Sequence, residues 1–135
     1  MYQSIAKVNK EIAEKIFDET TAYHWVVVIL YYSLYTYLEC LCQYQKDNNK
    51  DLDFPHSHEE GISIVKKYLK TASYYETIYN GAYKFRYDPF LISRIQDVKW
   101  EPEIKKYFSY YKKCADEIYE KMRSSRLVPN KYFKK

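Results

Sequence analysis

Turn-forming residues are scarce in this sequence, which has two glycines and four prolines among 135 residues. Sheets built from hairpins need frequent turns, and glycine supplies many of them. So few turn residues can connect only a small number of long elements, and helices fit that condition. Hydrophobic residues make up 47% and charged residues 30%, a balance typical of folded rather than disordered chains. We therefore predict an all-α fold.

Hydrophobic periodicity predicts an up-and-down four-helix bundle, or five helices if the third is broken near 71–73. The predicted helices cover residues 3–20, 21–45, 57–86 and 102–122. In the first helix, the side chains expected to face the core are Ile5, Val8, Ile12 and Ile16. Ser57 and Glu60 form a capping-box pattern at the start of the third helix. Residues 1–126 are predicted to be one domain, and 127–135 a basic C-terminal tail.

The second predicted helix is apolar around its whole circumference, and residues 22–42 are as long as a membrane span. Glu39 and the many tyrosine hydroxyls would lack partners in hydrocarbon, and the flanks carry no clear Lys/Arg asymmetry. We expect no membrane contact. The composition predicts instead a central helix covered by other helices and by a second subunit, and hence a homodimer.

Cysteine usage bears on location and on metal binding. The three cysteines are an odd number, and Cys40 and Cys42 lie about 200° apart around a helix. No paired Cys/His spacing and no glycine-rich phosphate loop occurs in the sequence. We predict a cytoplasmic protein with no cofactor and no metal, in which His56 and His58 belong to a helix-start turn without a third ligand.

Basic residues concentrate toward the C-terminus. Residues 1–57 contain five Lys/Arg and eight Asp/Glu, whereas residues 58–135 contain seventeen and ten. From Lys99 onward there are eleven basic and five acidic residues. This part of the chain suits an acidic partner or a nucleic-acid backbone, and a solvated helix face explains the same charges equally well.

A pattern across the first two-thirds of the chain resembles the HEPN family. It consists of His24-Trp25, Tyr31-Tyr32, His56-x-His58-Glu59-Glu60 and Tyr79-x-x-x-Tyr83-x-x-Arg86-Tyr87. The resemblance implies a small helical bundle of prokaryotes, usually dimeric. It also implies either a ribonuclease paired with a nucleotidyltransferase-like antitoxin, or a protein with a nucleotide-binding or unknown role.

One departure from that pattern bears on catalysis. HEPN ribonucleases resemble one another in an Arg followed four to six residues later by His, whereas every histidine here precedes the first arginine, Arg86. We therefore predict a nucleotide-binding or protein-interaction module that acts with a partner such as a nucleotidyltransferase, in a toxin-antitoxin-like pair. A divergent, metal-independent ribonuclease is the alternative, so enzymatic activity stays open, as does RNA as a ligand.

The predicted ligand site is an anion or nucleotide site formed by His24, Tyr83, Arg86 and Tyr87. If the second and third helices are antiparallel, His24 and Arg86 share one end of the bundle. Arg86 would bind phosphate, His24 would carry a proton and the tyrosines would stack. Helix capping is the simpler role for both charged residues. A straight third helix places His58 about 40 Å from Arg86, at the opposite end.

Overall fold

The computed structural model describes residues 2–50, 52–124 and 126–130, and excludes the side chain of Tyr2. Within these residues the chain is helical and contains no strand, so the all-α prediction is confirmed. The described residues form six α-helices rather than the predicted four or five, together with a short 3₁₀ turn at Val98–Trp100. The helices are α1 (Tyr2–Glu19), α2 (Tyr23–Gln45), α3 (His58–Tyr68), α4 (Ala72–Tyr87), α5 (Pro89–Ile95) and α6 (Glu101–Met122).

The centre of the fold is α2, which packs against α1, α4 and α6. Most of its side chains are buried, as expected for a helix that is apolar on every side. Among the described helices, α2 alone is long and apolar enough to cross a membrane, a test that a buried core helix also passes. Helices of the same chain already cover most of α2, so its composition no longer requires a second subunit.

The face that α1 turns to the core differs from the predicted one. Ala6 and Ala13 are fully buried, whereas Ile5, Val8 and Ile12 are more than 40% exposed. Ile16, the fourth predicted residue, is partly buried and packs against the core. The small alanines let the backbone of α1 approach α2 closely enough for the Ser33 hydroxyl to donate to the Ala6 carbonyl at 2.7 Å. This close contact sets the rotation of α1 and leaves an apolar strip in solvent.

The predicted third helix is interrupted, and the interruption is built by residues far away in the chain. Leu69, which ends α3, is extended and buried. The Glu117 carboxylate of α6 accepts hydrogen bonds from the Lys70 and Thr71 amides, both at 2.9 Å, and from the Thr71 hydroxyl at 2.6 Å. Glu117 thus satisfies free amides at the start of α4. The chain turns back here, and α3 and α4 form a helical hairpin.

The C-terminal segment closes the same interruption. The Asn130 side chain donates to the carbonyls of Lys66 and Leu69, at 2.9 and 3.1 Å. The backbone amide of Asn130 donates to the Lys67 carbonyl. Leu127 is 2% exposed and belongs to the core. Residues 127–130 of the predicted tail therefore pack on the folded body, while 131–135 lie outside the described residues.

The predicted connection between the last two long helices is itself mostly helical. Asp88 ends α4, and its carboxylate accepts hydrogen bonds from the Phe90 and Leu91 amides at 3.1 and 3.0 Å. An aspartate cap followed by Pro89 is a standard start for a helix, and it begins α5. The short α5 packs against α4 and α2.

The interruption yields a test of stability. Glu117→Gln replaces an acceptor oxygen with an amide donor beside the Lys70 or Thr71 amide, so we expect a loss of about 2–3 kcal/mol in the free energy of unfolding, the worth of one to two hydrogen bonds to a charged group. Urea denaturation followed by circular dichroism measures the loss. The matched control is Glu120→Gln, an exposed residue of α6. Equal stability of the two variants would show that Glu117 does not hold the turn.

Candidate functional site

The last two turns of α4 border a cavity of about 200 Å³ that opens between α2, α3 and α4. Three of the predicted ligand residues, Tyr83, Arg86 and Tyr87, line it. The other lining residues are Tyr31, Tyr32, His58, Glu59, Tyr79 and Ala82. A cationic side chain, a histidine and five tyrosines thus meet in one small opening, which we call the tyrosine cavity.

His58 lies in the tyrosine cavity, and its predicted place at the opposite end of the bundle is wrong. That prediction assumed one straight helix from 57 to 86, whereas the turn at Glu117 folds α3 back along α4. His58 is the first residue of α3, and the Ser57 hydroxyl caps the helix by accepting from the Glu60 amide at 3.1 Å. The Glu60 carboxylate completes the cap at the amide of His56, one residue earlier than predicted.

The orientation of His58 is determined by tyrosines. The Tyr31 hydroxyl and His58 Nδ1 are 2.6 Å apart. The His58 ring centroid lies 5.1 Å from that of Tyr35, 5.3 Å from that of Tyr31 and 5.8 Å from that of Tyr79. Ring contacts of this kind, largely edge-to-face, hold an imidazole in one position.

Tyr31 also influences which nitrogen of His58 carries the proton. Burial raises the pKa of Tyr31 well above its ordinary value, so the hydroxyl keeps its proton at neutral pH. A phenol that donates to Nδ1 favours the imidazole tautomer with hydrogen on Nε2. His58 would then present Nε2 as a hydrogen-bond donor.

Arg86 supplies a positive charge to the tyrosine cavity. Its guanidinium donates to the Tyr32 hydroxyl and lies 5.1 Å from the ring centroid of Tyr87 and 5.7 Å from that of Tyr32. Within the described residues Arg86 forms no ion pair, although Glu59 lines the same cavity. Guanidinium groups stay protonated, so this charge is permanent and open to a ligand.

His24, the remaining predicted ligand residue, is not among the residues that line the tyrosine cavity. It lies eight residues before Tyr32, about 12 Å along α2. The side chain is 9% exposed, and its ring contacts that of Trp25 at 5.2 Å. Burial lowers the pKa of His24, which favours the neutral imidazole. The histidine that lines the cavity with Arg86 is His58 rather than His24.

A larger cavity of about 390 Å³ lies between α1 and α6, over an aromatic floor. Its charges are already paired: Lys10 with Glu14 at 3.4 Å and Lys112 with Asp116 at 2.8 Å. Unlike the tyrosine cavity, it offers no uncompensated charge and no histidine. We therefore regard the smaller cavity as the candidate site.

The described part of the chain contains no group of three or more His, Cys, Asp or Glu side chains arranged to bind a metal ion. The three cysteines are buried, and burial raises the pKa of Cys42 to about 12 and that of Cys114 to about 11. Thiols with such pKa values are poor nucleophiles at neutral pH.

Comparisons with known proteins found no family model, no curated protein and no solved structure that matches this chain. The resemblance to HEPN proteins therefore stays a prediction.

Proposed function

We propose that the tyrosine cavity binds the phosphate of a nucleotide. The observation that carries this proposal is the convergence of Arg86, unpaired within the described residues, and His58 at one cavity walled by tyrosines. A guanidinium and an imidazole N–H are both good donors to phosphate oxygens. The tyrosine rings offer faces on which a base stacks, and Glu59 offers an acceptor for a ribose hydroxyl or a base amino group.

The size of the cavity limits how much of the ligand it encloses. Pockets that enclose a whole small ligand measure roughly 300–1,000 Å³. A volume of about 200 Å³ suits a phosphate with part of its sugar or base, and the rest of the ligand lies outside.

The biological setting of this activity is part of the same proposal. From the sequence resemblance, we infer a HEPN-like bundle in the cytoplasm of a prokaryote, acting with a nucleotidyltransferase-type partner in a toxin-antitoxin-like pair. Nucleotide binding would be the shared chemistry of the two proteins.

Metal-independent RNA cleavage is a second candidate, and one observation favours it. His58 and Arg86 line the same cavity even though their order in the sequence is the reverse of the family motif. The ribose 2′-oxygen would attack the phosphorus and lose its proton to solvent, while the bond from phosphorus to the 5′-oxygen breaks. His58 would protonate the departing 5′-oxygen from Nε2, and Arg86 would stabilise the charge that develops on the phosphate.

We also propose that the protein is a homodimer, because α1 carries an exposed apolar strip. Ile5, Val8 and Ile12 form an exposed apolar strip on α1, and Trp25 near the start of α2 is 52% exposed. A strip of this kind on a small protein is typical of an interface, and a two-fold axis would place it against the same strip of a second copy.

Nucleotide binding is tested by isothermal titration calorimetry with adenosine 5′-monophosphate. We expect Arg86→Gln to weaken binding roughly 10- to 100-fold, since it removes a charged hydrogen-bond donor, and His58→Ala to weaken it as well. The matched control is His56→Ala, because His56 is exposed and does not line the tyrosine cavity. Unchanged affinity in both site variants, or an equal loss in the control, would refute this site.

RNA cleavage is tested by incubating single-stranded RNA with purified protein in excess EDTA. If the second candidate is right, cleavage proceeds without metal, disappears in His58→Ala and persists in His56→Ala. Intact RNA after long incubation with protein that binds nucleotide would leave binding as the function of the cavity.

Dimer formation is tested by light scattering of the eluting protein at micromolar concentration. We expect the mass of two chains for the native protein and of one chain for Val8→Glu, because a carboxylate buried in an apolar interface is unfavourable. Val98→Glu, at an exposed apolar residue of the 3₁₀ turn, is the control and should remain dimeric. A native protein that elutes as a monomer contradicts the proposal.

A further inference from the structure

We propose that the ligand of the tyrosine cavity is a single-stranded nucleic acid, which continues from the cavity over residues 83–94. This inference rests on the proposed nucleotide site and specifies the class of its ligand. Its basis is an arrangement of exposed aromatic rings and unpaired cations on both sides of the turn between α4 and α5.

Three large aromatic side chains of this segment are exposed to solvent. Tyr83 is 57% exposed, Tyr87 61% and Phe90 82%. The Tyr83 and Tyr87 rings lie one helical turn apart, with their centroids separated by 5.0 Å. Phe90 follows at the start of α5. Exposed rings in close succession are typical of surfaces on which unpaired bases stack.

The segment carries three cationic side chains. Lys84, Arg86 and Arg94 are exposed, and none of them forms an ion pair within the described residues. The one carboxylate between Tyr83 and Arg94 belongs to Asp88, and the amides at the start of α5 occupy it. The segment therefore carries a net positive charge, which suits a chain of phosphates.

Continuity with the tyrosine cavity favours a nucleic acid over other acidic partners. Tyr83, Arg86 and Tyr87 line the cavity and also belong to the exposed segment. A nucleotide held at Arg86 and His58 would therefore place its neighbours in the strand beside the exposed Phe90 ring and the exposed cations Lys84 and Arg94. Bases in a duplex are stacked and paired, so only a single strand can offer their faces to these rings.

The test compares a nucleoside monophosphate with ten-residue single-stranded RNA and DNA, by calorimetry and fluorescence anisotropy. We expect the oligonucleotides to bind at least about tenfold more tightly than the monophosphate, because extra stacking and phosphate contacts add to the affinity. Their affinity should also fall with added salt, and each lost phosphate contact should reduce the slope of log K against log [salt] by about 0.7.

Two variants outside the cavity separate the segment from the nucleotide site. Phe90→Ala should weaken oligonucleotide binding roughly fivefold or more, as expected when one stacking ring is lost. Arg94→Gln should weaken it and lower the salt slope. Neither change should alter the affinity for the monophosphate. Tyr44→Ala and Lys50→Gln, an exposed aromatic and an exposed cation beyond this segment, are the matched controls.

Oligonucleotides that bind no more tightly than the monophosphate overturn this inference and leave the nucleotide site intact. If neither ligand binds, the proposed function fails, and this inference fails with it. Binding to vesicles of anionic phospholipid that requires Phe90, without binding to oligonucleotides, assigns the segment to a membrane surface and also overturns the inference.

Discussion

The carboxylate of Glu117 holds the turn on which the candidate site depends. Its two oxygens accept hydrogen bonds from the amides of Lys70 and Thr71, residues that lie 47 and 46 positions earlier in the chain. Asn130 satisfies carbonyls on the other side of the same turn. Without these contacts the apolar periodicity of residues 57–86 would allow one long helix, and His58 would lie far from Arg86. The turn therefore brings His58 to the same cavity as Arg86.

The hydrophobic periodicity and residue spacing of the sequence were sufficient to predict the helical class, the extent of α2 and the grouping of Tyr83, Arg86 and Tyr87. Those three residues follow one another on a single helix, so their proximity needs no tertiary information. The place of His58 was out of reach because a carboxylate on a distant helix determines it. The face of α1 was mispredicted for a similar reason: its close packing on α2, through the buried Ala6 and Ala13 and the bond from Ser33 to the Ala6 carbonyl, depends on residues of another helix.

The side chains and the volume of the tyrosine cavity both favour a phosphate-containing ligand that extends beyond the cavity. Arg86 and His58 can bind a phosphate, the cavity is too small for a complete nucleotide, and exposed rings continue beyond its mouth. Tyr31 links these features to the core, because its buried hydroxyl contacts the imidazole of His58. The aromatic residues of α2 therefore pack in the core and also line the tyrosine cavity.

Nuclear magnetic resonance of the side-chain nitrogens tests the central claim, that the turn at Glu117 places His58 and Arg86 around one phosphate. The protein is labelled with nitrogen-15 and titrated with adenosine 5′-monophosphate. The account predicts that the chemical shifts of the His58 ring nitrogens and the Arg86 guanidinium nitrogens change together and saturate with a single dissociation constant. The chemical shifts of the His24 and His56 ring nitrogens should not change. A chemical-shift change at only one of these two side chains, or a larger chemical-shift change at His24, would contradict the account.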